Sequence, residues 1–234
     1  MPALRYLCSM SVSLNKYVAA TGICSRREAD RWIEAGRLTI NGNTAVKGNR
    51  VEEGDEVRLD GRPLGRRPEK IYLAFHKPAG VTCTTDAKDP DNIVDFLNYP
   101  ERIFPVGRLD KASTGLIFLT NDGDVVNEVL RVENEHEKEY IVTVDRPVDR
   151  RFIQRMAEGV PILGTKTNPC RIERLGHRSF RIVLTQGLNR QIRRMCEYLG
   201  YRVLTLKRIR IMDVELGDLP VGAYRELDGF FVTE

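Results

Sequence analysis

Residues 104–124 read FPVGRLDKASTGLIFLTNDGD, and this stretch decides how the larger part of the 234-residue chain is organised. Two runs of β-forming side chains, FPV and GLIFLT, flank a loop that carries Arg108 and Asp110. An Asp in such a loop is most often a turn former or a helix cap. Here Gly107 and Gly115 lie on either side and permit a ligand to approach the backbone closely. Asp110 is therefore a candidate catalytic carboxylate, although the pattern does not select a reaction.

Further β-forming runs surround this stretch. They are IYLAF (71–75), EYIVTV (139–144), SFRIVLT (179–185) and RVLTLKRIRI (202–211). One helix is predicted over residues 189–200, because Ile192, Met195, Cys196 and Leu199 recur at helical spacing. Arg193 lies at the edge of that apolar stripe, where it can point into a pocket. These elements predict the α+β class, with a mixed, largely antiparallel β-sheet and flanking helices.

The first part of the chain predicts a separate small unit. A short helix is expected from Leu14 to Ala20. Ser25 and Glu28 have the spacing of a capping box, which predicts the start of a second helix. The dipeptide at 41–42, Asn-Gly, lies between two β-forming runs and is a hairpin signal. The small unit therefore combines two helices with short strands.

The boundaries between these parts follow from composition. The segment GRPLGRRPE at 61–69 is rich in Pro, Gly and Arg, which suits an exposed linker. The predicted division is a tail at 1–12, the small unit at 13–60, this linker, and a larger domain at 70–234.

The charge distribution indicates a partner that carries phosphates. The net charge of +4 is a weak signal by itself. Residues 190–210, however, hold seven basic residues and one acid, which favours phosphate contact over an ordinary solvated face. In the small unit, Lys16, Arg26, Arg27 and Arg31 lie on the helical half and are candidate phosphate ligands, with ordinary solubilising side chains as the alternative.

The composition disfavours several other classes of protein. No apolar stretch is long enough to span a bilayer, and the first residues lack the apolar core of a secretory signal. The five cysteines are widely spaced without a CxxC, and the three histidines have no metal-ligand spacing. Structural zinc and a disulfide framework are therefore not expected, and free thiols suit a reducing cytoplasm.

Long motifs across the chain resemble those of a known family. GRLDKASTGL at 107–116 resembles the signature of the pseudouridine synthases, in the branch that modifies ribosomal RNA. HKPAGV (76–81), HEKEYIVTV (136–144), GVPILGT (159–165) and GLNRQIRRM (187–195) resemble the other motifs of that family. LNKYVAATGICSRREADRWIEAG (14–36) resembles the small RNA-binding domain first seen in a ribosomal small-subunit protein, here called S-four-like. The resemblance covers roughly residues 13 to 230.

This resemblance implies a role for particular residues. Asp110 would be the nucleophile, Tyr140 would stack on the target uracil, and Arg193 would pair with Asp110. The residues expected to bind or surround the flipped nucleotide are Arg108, Lys77, Pro78, Arg190 and Arg194. Lys16, Arg26, Arg27 and Arg31 would contact RNA from the S-four-like domain. From the pattern alone, Tyr140 fits equally well as an ordinary strand aromatic, and Arg193 as a basic surface residue.

The implied reaction is the isomerisation of uridine to pseudouridine in folded RNA. The glycosidic bond breaks, the uracil turns and a carbon–carbon bond forms, so we expect neither a metal nor an organic cofactor. A carboxylate can attack the anomeric carbon, as in retaining glycosidases, or first assist elimination to a glycal. We expect a cytoplasmic monomer without a membrane partner. Its expected substrate is 23S ribosomal RNA, with transfer RNA as a further possibility.

Two other classes of function compete with this reading. A non-catalytic RNA-binding or ribosome-assembly protein would use the S-four-like unit and the basic stretch, but it leaves the loop around Asp110 unexplained. A hydrolase such as a nucleosidase would need a second carboxylate as acid. Asp122 and Asp124 lie nearby in sequence, but neither is a convincing partner. Release of free uracil from RNA would distinguish the hydrolase from the isomerase.

Overall fold

The structure is a computed structural model that describes residues 11–65, 67–130 and 136–230. The chain divides into two compact units between Lys70 and Ile71. Cys8 and most of the predicted tail lie outside the described residues. The first strand of the small unit begins at Val12, one residue before the predicted start of that unit.

The small unit packs two helices against short antiparallel strands. The helices are α1 (Leu14–Ala20) and α2 (Arg26–Glu34). The strands are β1 (Val12–Ser13), β2 (Leu38–Ile40), β3 (Asn43–Thr44), β4 (Arg50–Val51), β5 (Val57–Leu59) and β6 (Arg62–Pro63). Strands β3, β2, β5 and β6 form one sheet in that order, and β1 pairs with β4. Leu14, Val18, Ile33 and Leu38 are buried in its core.

Local sequence signals account for the helix starts and the first hairpin. The Ser25 hydroxyl caps α2 by accepting from the Glu28 backbone N–H at 3.1 Å. The Glu28 carboxylate lies against the Arg31 guanidinium at 2.9 Å, so the second half of the predicted capping box is replaced by an ion pair. Asn41 and Gly42 both have positive φ angles, as the predicted Asn-Gly hairpin requires.

The predicted linker differs from the structure in its first half. Arg62 and Pro63 pair with Leu59 and Arg58 as strand β6. The intervening Asp60 and Gly61 both have positive φ angles, so they form the same kind of two-residue turn as Asn41-Gly42. The Pro, Gly and Arg composition concealed this second hairpin signal. Arg66 lies outside the described residues.

In the described part of the chain, the larger unit is built on a nine-stranded sheet. Its strands are β7 (Tyr72–Lys77), β8 (Phe104–Val106), β9 (Thr114–Thr120), β10 (Lys138–Val144), β13 (Arg171–Arg174), β14 (Ser179–Leu184), β15 (Val203–Ile211), β16 (Val214–Glu215) and β17 (Tyr224–Glu226). A separate hairpin joins β11 (Pro161–Ile162) to β12 (Thr165–Lys166). The helices are α3 (Ile93–Leu97), α4 (Gly123–Leu130), α5 (Arg150–Ala157) and α6 (Gln191–Tyr198).

The order of strands places distant motifs side by side. The main path runs β13-β14-β10-β15-β9-β7-β17, and β15 is parallel to β9 while the other neighbours along this path are antiparallel. The predicted mixed, largely antiparallel sheet is therefore confirmed. Each of the runs named from sequence forms a strand here, although β13, β16 and β17 were not recognised. Because β15 lies between β10 and β9 in the sheet, three motifs that are distant in sequence become neighbours.

Both faces of the central strands are covered by apolar side chains. On β9, Ile117 and Leu119 pack into one core cluster while Leu116 and Phe118 pack into another, and all four are fully buried. A strand buried on both faces reads as a continuous apolar run, as GLIFLT does. Cys24, Cys83, Cys170 and Cys196 are free thiols. Among the described residues, no helix is both long and apolar enough to cross a membrane.

Candidate active site

An open cavity of about 1080 Å³ lies in the larger unit. Its walls come from the loop between β8 and β9, the first half of β10, the loop after β14, the start of α6 and the middle of β15. The sequence-predicted residues Arg108, Asp110, Tyr140, Arg190 and Arg193 all line it. Side chains from separate motifs therefore meet around one space, which is large enough for a nucleotide.

Two hydrogen bonds hold the loop that carries Asp110. The Ser113 backbone N–H donates to the Asp110 carbonyl at 2.9 Å, which closes a tight turn. The Cys83 thiol donates to the Leu109 carbonyl at 3.2 Å and anchors the residue before Asp110. The Asp110 side chain is about one-third exposed, so the carboxylate stays open to the cavity. The loop thus presents a carboxylate from a well-supported backbone.

Gly115 serves packing more directly than ligand approach. Its φ angle is +112°, and a Cβ atom placed there would lie 2.2 Å from the Arg208 carbonyl oxygen. Glycine therefore allows β15 to run close beside β9. The sequence pattern drew attention to Gly115 as a place where a ligand approaches the backbone. In the structure it is a neighbouring strand, β15, that approaches this glycine.

Arg193 lies against Asp110 although the two are far apart in the chain. The Arg193 Nε is 3.3 Å from Asp110 Oδ2, and Arg193 Nη2 donates to the Ser113 hydroxyl at 3.0 Å. The Arg193 side chain is 14% exposed, so this contact is better shielded from water than a surface ion pair. Helix α6 presents Arg193 to the cavity, while Met195 and Cys196 are buried in the core. The reading of Arg193 as a basic surface residue is therefore wrong.

Tyr140 enters the cavity from β10. It is 9% exposed, and its cross-strand partners are Ile182 and Arg208. Its ring both packs into the main core cluster and lines the cavity. A core residue with one face on the cavity can support a flat base by stacking.

Lys77 supports the loops from within the protein. Its side chain is fully buried, and its ammonium donates to the carbonyls of Pro78 (2.7 Å), Val81 (2.8 Å) and Lys111 (3.4 Å). Burial lowers the pKa of Lys77 below its usual range. The bond to Lys111 ties this buried amine to the residue that follows Asp110. In the described part of the chain, neither Lys77 nor Pro78 lines the cavity, although both were expected to surround the nucleotide.

The basic residues of 190–210 do not form one phosphate-binding face. Arg190 and Arg108 are exposed and line the cavity. Arg194 bonds back to the carbonyl and side chain of Asn189 at 3.0 and 3.1 Å. Arg210 pairs with Glu139 at 2.7 Å and with Glu137 at 2.9 Å, and Arg208 is buried. The basic stretch is thus divided among different neighbours, because some of its residues lie at the start of α6 and others alternate between the two faces of β15.

In the small unit, α2 presents its predicted basic residues to solvent. Arg26, Arg27 and Arg31 are exposed, and Arg31 is engaged by Glu28. Lys16 on α1 is half-buried. Arg26 and Arg27 begin the helix, where unpaired backbone N–H groups also favour a phosphate.

The cavity residues to which sequence reasoning gave no role include two cations beside Tyr140, Lys138 and Arg208. Lys138 stands two positions before Tyr140 on β10 and therefore shares its face. Arg208 is 4% exposed and pairs in register with Tyr140. The alternation around Tyr140 could have identified Lys138, whereas Arg208 depends on strand pairing that the sequence does not display. His76 packs in the interior, with Nδ1 2.7 Å from the Leu219 carbonyl oxygen.

Comparison with known proteins agrees with the motifs. Residues 71–198 match the family model of the RNA pseudouridylate synthases, and residues 12–57 match that of the S4 domain. The chain is 54% identical to the dual-specificity RNA pseudouridine synthase RluF of Salmonella typhi, over 94% of this chain and 77% of that protein. It is 32% identical to ribosomal large subunit pseudouridine synthase B of Bacillus subtilis, over 92% of this chain and 91% of that protein.

A solved structure agrees as well. A crystal structure of a pseudouridylate synthase matches with a TM-score of 0.67 and 31% identity, over 93% of this chain and 96% of that one. The resemblance inferred from GRLDKASTGL and the other motifs is confirmed, as is the prediction of an enzyme that isomerises uridine in RNA. The chain belongs to the RNA pseudouridine synthase family and carries an S4 domain ahead of its synthase domain.

Proposed function

We propose that this enzyme converts a specific uridine of 23S ribosomal RNA to pseudouridine, with Asp110 as the nucleophile. The observation that carries the proposal is the Asp110 carboxylate, open to the cavity and held by Arg193 at 3.3 Å. A carboxylate in this position can bond to the anomeric carbon of the target sugar, or assist elimination there. In both routes the bond between N1 of uracil and the sugar breaks, and the electron pair leaves with the base.

Each neighbouring residue has a distinct part in this proposal. Arg193 orients the carboxylate and Tyr140 stacks on the uracil. The detached base must stay in place while it turns, and a cavity with a buried aromatic wall helps to retain it. The base then bonds to the anomeric carbon through C5, which frees the carboxylate. C5 gives up its proton and N1 takes one up, which completes the isomerisation. Arg108 and Arg190, exposed at the cavity, hold the phosphates of the flipped nucleotide.

The RNA must also be held outside the cavity. We assign Lys16, Arg26, Arg27 and Arg31 of the S4 domain to phosphate contact, because α2 presents the three arginines to solvent. Phosphate contacts position a protein on RNA without reading its sequence. A uridine in a loop or bulge is the favoured target, because a base already unstacked costs less to flip. Two linked contacts raise affinity through effective concentration.

The names of the relatives support ribosomal RNA as the main substrate. The Bacillus subtilis relative is named for the ribosomal large subunit. The Salmonella typhi relative is named as a dual-specificity enzyme, which supports a second RNA substrate, and we propose transfer RNA for that place. We further propose that the enzyme acts as a monomer in the cytoplasm.

Mapping pseudouridine in cells tests this proposal. The gene is deleted, and pseudouridine is mapped at base resolution across both ribosomal RNAs and all transfer RNAs. We expect loss of a 23S site that wild type restores and Asp110→Asn does not. Loss confined to transfer RNA or small-subunit RNA would contradict the proposed substrate. Restoration by a verified Asp110→Asn protein would contradict the assignment of the nucleophile.

A further inference from the structure

Two cations, the half-buried Lys138 and the buried Arg208, lie beside Tyr140 in the cavity wall. Lys138 is two residues before Tyr140 on β10, so both side chains point to the same face at a spacing of roughly 7 Å. Arg208 is the residue of β15 that pairs with Tyr140. All three residues line the cavity. Whatever stacks on Tyr140 is therefore close to two positive charges.

These two charges have backbone partners. The Lys138 ammonium donates to the His136 carbonyl at 2.9 Å, and Arg208 Nε donates to the Leu116 carbonyl at 2.6 Å. Another nitrogen of the Arg208 guanidinium, Nη2, is buried and has no hydrogen-bond partner in the described part of the chain. Across residues 11–65, 67–130 and 136–230, no carboxylate forms an ion pair with either residue.

The nearby acids are engaged elsewhere. Glu137, just before β10, and Glu139 flank Lys138 in sequence. They pair instead with arginines, namely Arg171, Arg181 and Arg210. Asp110 is paired with Arg193. Burial lowers the pKa of Lys138 below its usual range, and the charge of Arg208 lowers it further. Two like charges with so little compensation are costly in a folded protein, which points to a negative charge in the bound state.

The proposed reaction generates such a charge at this place. When the N1–sugar bond breaks, the electron pair moves onto the base, and the negative charge spreads over N1, O2 and O4 of uracil. The exposed arginines, Arg108 and Arg190, are available for the phosphates, while Lys138 and Arg208 adjoin the ring that stacks on the base. Charges that are in place before the reaction stabilise developing charge most effectively.

We propose that Lys138 is a catalytic residue that contacts the uracil anion and stabilises it, and that Arg208, fixed on the Leu116 carbonyl, adds a second positive charge to the same wall. The inference rests on the proposed function, because it needs a base that leaves with its electron pair. It holds for direct attack by Asp110 and for elimination, since both routes release the same anion. The negative charge of the base is neutralised when C5 bonds to the sugar. C5 then gives up its proton and N1 takes one up, so no further reactant is needed.

Single-turnover kinetics with two RNAs test the inference. The RNA is the fragment that the deletion map identifies, with uridine or 5-fluorouridine at the target position. Fluorine stabilises the anion of the base, so bond breaking in the second RNA depends less on protein charge. The reaction is followed at saturating enzyme by the loss of the N-linked nucleoside after digestion. The variants are Lys138→Met, which removes the charge at similar length, and Lys138→Arg, which keeps it.

We expect Lys138→Met to slow the uridine reaction by about 100-fold and the 5-fluorouridine reaction by about tenfold or less. Lys138→Arg should recover much of the uridine rate, and RNA affinity and the melting temperature should stay near those of wild type. Lys207→Met is the matched control, because Lys207 is the neighbour of Arg208 on β15 and faces away from it. Arg208→Met, which removes the second positive charge, should show the same substrate dependence as Lys138→Met, at smaller size.

The inference would be overturned if Lys138→Met slowed the reactions of both RNAs equally, or slowed neither. In that case the activity of wild type would still support the proposed function. If Lys138→Met does not fold, Lys138→Gln provides the same comparison. Failure of wild type to modify any RNA would overturn the proposed function, and this inference with it.

Discussion

Arg193 Nε lies 3.3 Å from Asp110 Oδ2, and the same guanidinium bonds to Ser113 in the turn that follows Asp110. One side chain of α6 therefore holds both the proposed nucleophile and its loop. Arg193 can act in this way because it is largely shielded from water, where an electrostatic contact is stronger than at the surface.

Replacing Arg193 should impair chemistry more than binding. We expect Arg193→Met to lower the single-turnover rate about 100- to 1000-fold, because the carboxylate loses its orienting partner. RNA affinity should change little. Arg193→Lys should retain more activity, since it keeps the charge but not the two-point geometry. Arg151→Met, at an exposed arginine of α5, is the control. A variant without Arg193 that keeps the wild-type rate would remove this residue from the mechanism.

Gly115→Ala should destabilise the larger unit. The new Cβ would lie 2.2 Å from the Arg208 carbonyl oxygen and 2.5 Å from its nitrogen, at a φ angle of +112°. Neither β9 nor β15 can yield without losing paired strands, so we expect a loss of about 3 kcal/mol or more in the free energy of unfolding. Urea unfolding measures it. Gly229→Ala, where no atom lies within 4 Å, should be close to neutral. Similar stabilities for the two variants would refute the packing role of Gly115.

The arginines of α2 should differ from Arg37 in RNA binding. Arg27 is exposed at the helix start, whereas Arg37 is held by Asp60 at 2.6 Å. We expect Arg27→Gln to weaken RNA binding and to reduce the salt slope of the binding constant by about 1. Arg37→Gln should leave the slope unchanged. Binding is measured by titration at several salt concentrations, and equal slopes for wild type and Arg27→Gln would contradict the assignment of Arg27.

Cys196 should be inert to alkylation in the native protein. It is fully buried on α6, and burial raises its pKa to about 12, while the nearby Arg193 lowers it by a smaller amount. The thiolate is the reactive form, so we expect no reaction with iodoacetamide at pH 8 until urea unfolds the chain. Mass spectrometry of the peptide that contains Cys196 reports the outcome. Rapid labelling of the folded protein would contradict this burial.

The same thiol should make stability depend on alkaline pH. Its folded pKa is raised from the ordinary 9.0 to about 12, so its contribution is fully present below pH 9 and is lost as the pH rises through about 12. The free energy of unfolding of wild type should therefore fall more steeply over this window than that of Cys196→Ala. The variant is less stable overall because it leaves a cavity, and the comparison concerns the slope. Identical slopes would contradict the raised pKa.

Local signals in the sequence determined much of the fold. Ser25 and the Asn41-Gly42 pair act within a few residues, so the start of α2 and the first hairpin were readable directly. The apolar stripe of 189–200 and the runs of β-branched residues depend only on burying one face of a helix or both faces of a strand. Motifs such as GRLDKASTGL then identified the family, which the comparisons confirm. The roles of Asp110, Tyr140 and Arg193 remain predictions.

Tertiary structure alone decided which charges are compensated and which are not. The basic stretch at 190–210 looked uniform, yet Arg210 pairs with Glu137 and Glu139 while Arg208 lies buried without a carboxylate partner among the described residues. The function of Gly115 likewise depends on β15, which is distant in sequence. The physical reason is that neutralisation and close packing are set by cross-strand neighbours. Strand order, and not the spacing of residues along the chain, brings Arg208 of β15 to the wall that Lys138 and Tyr140 of β10 form.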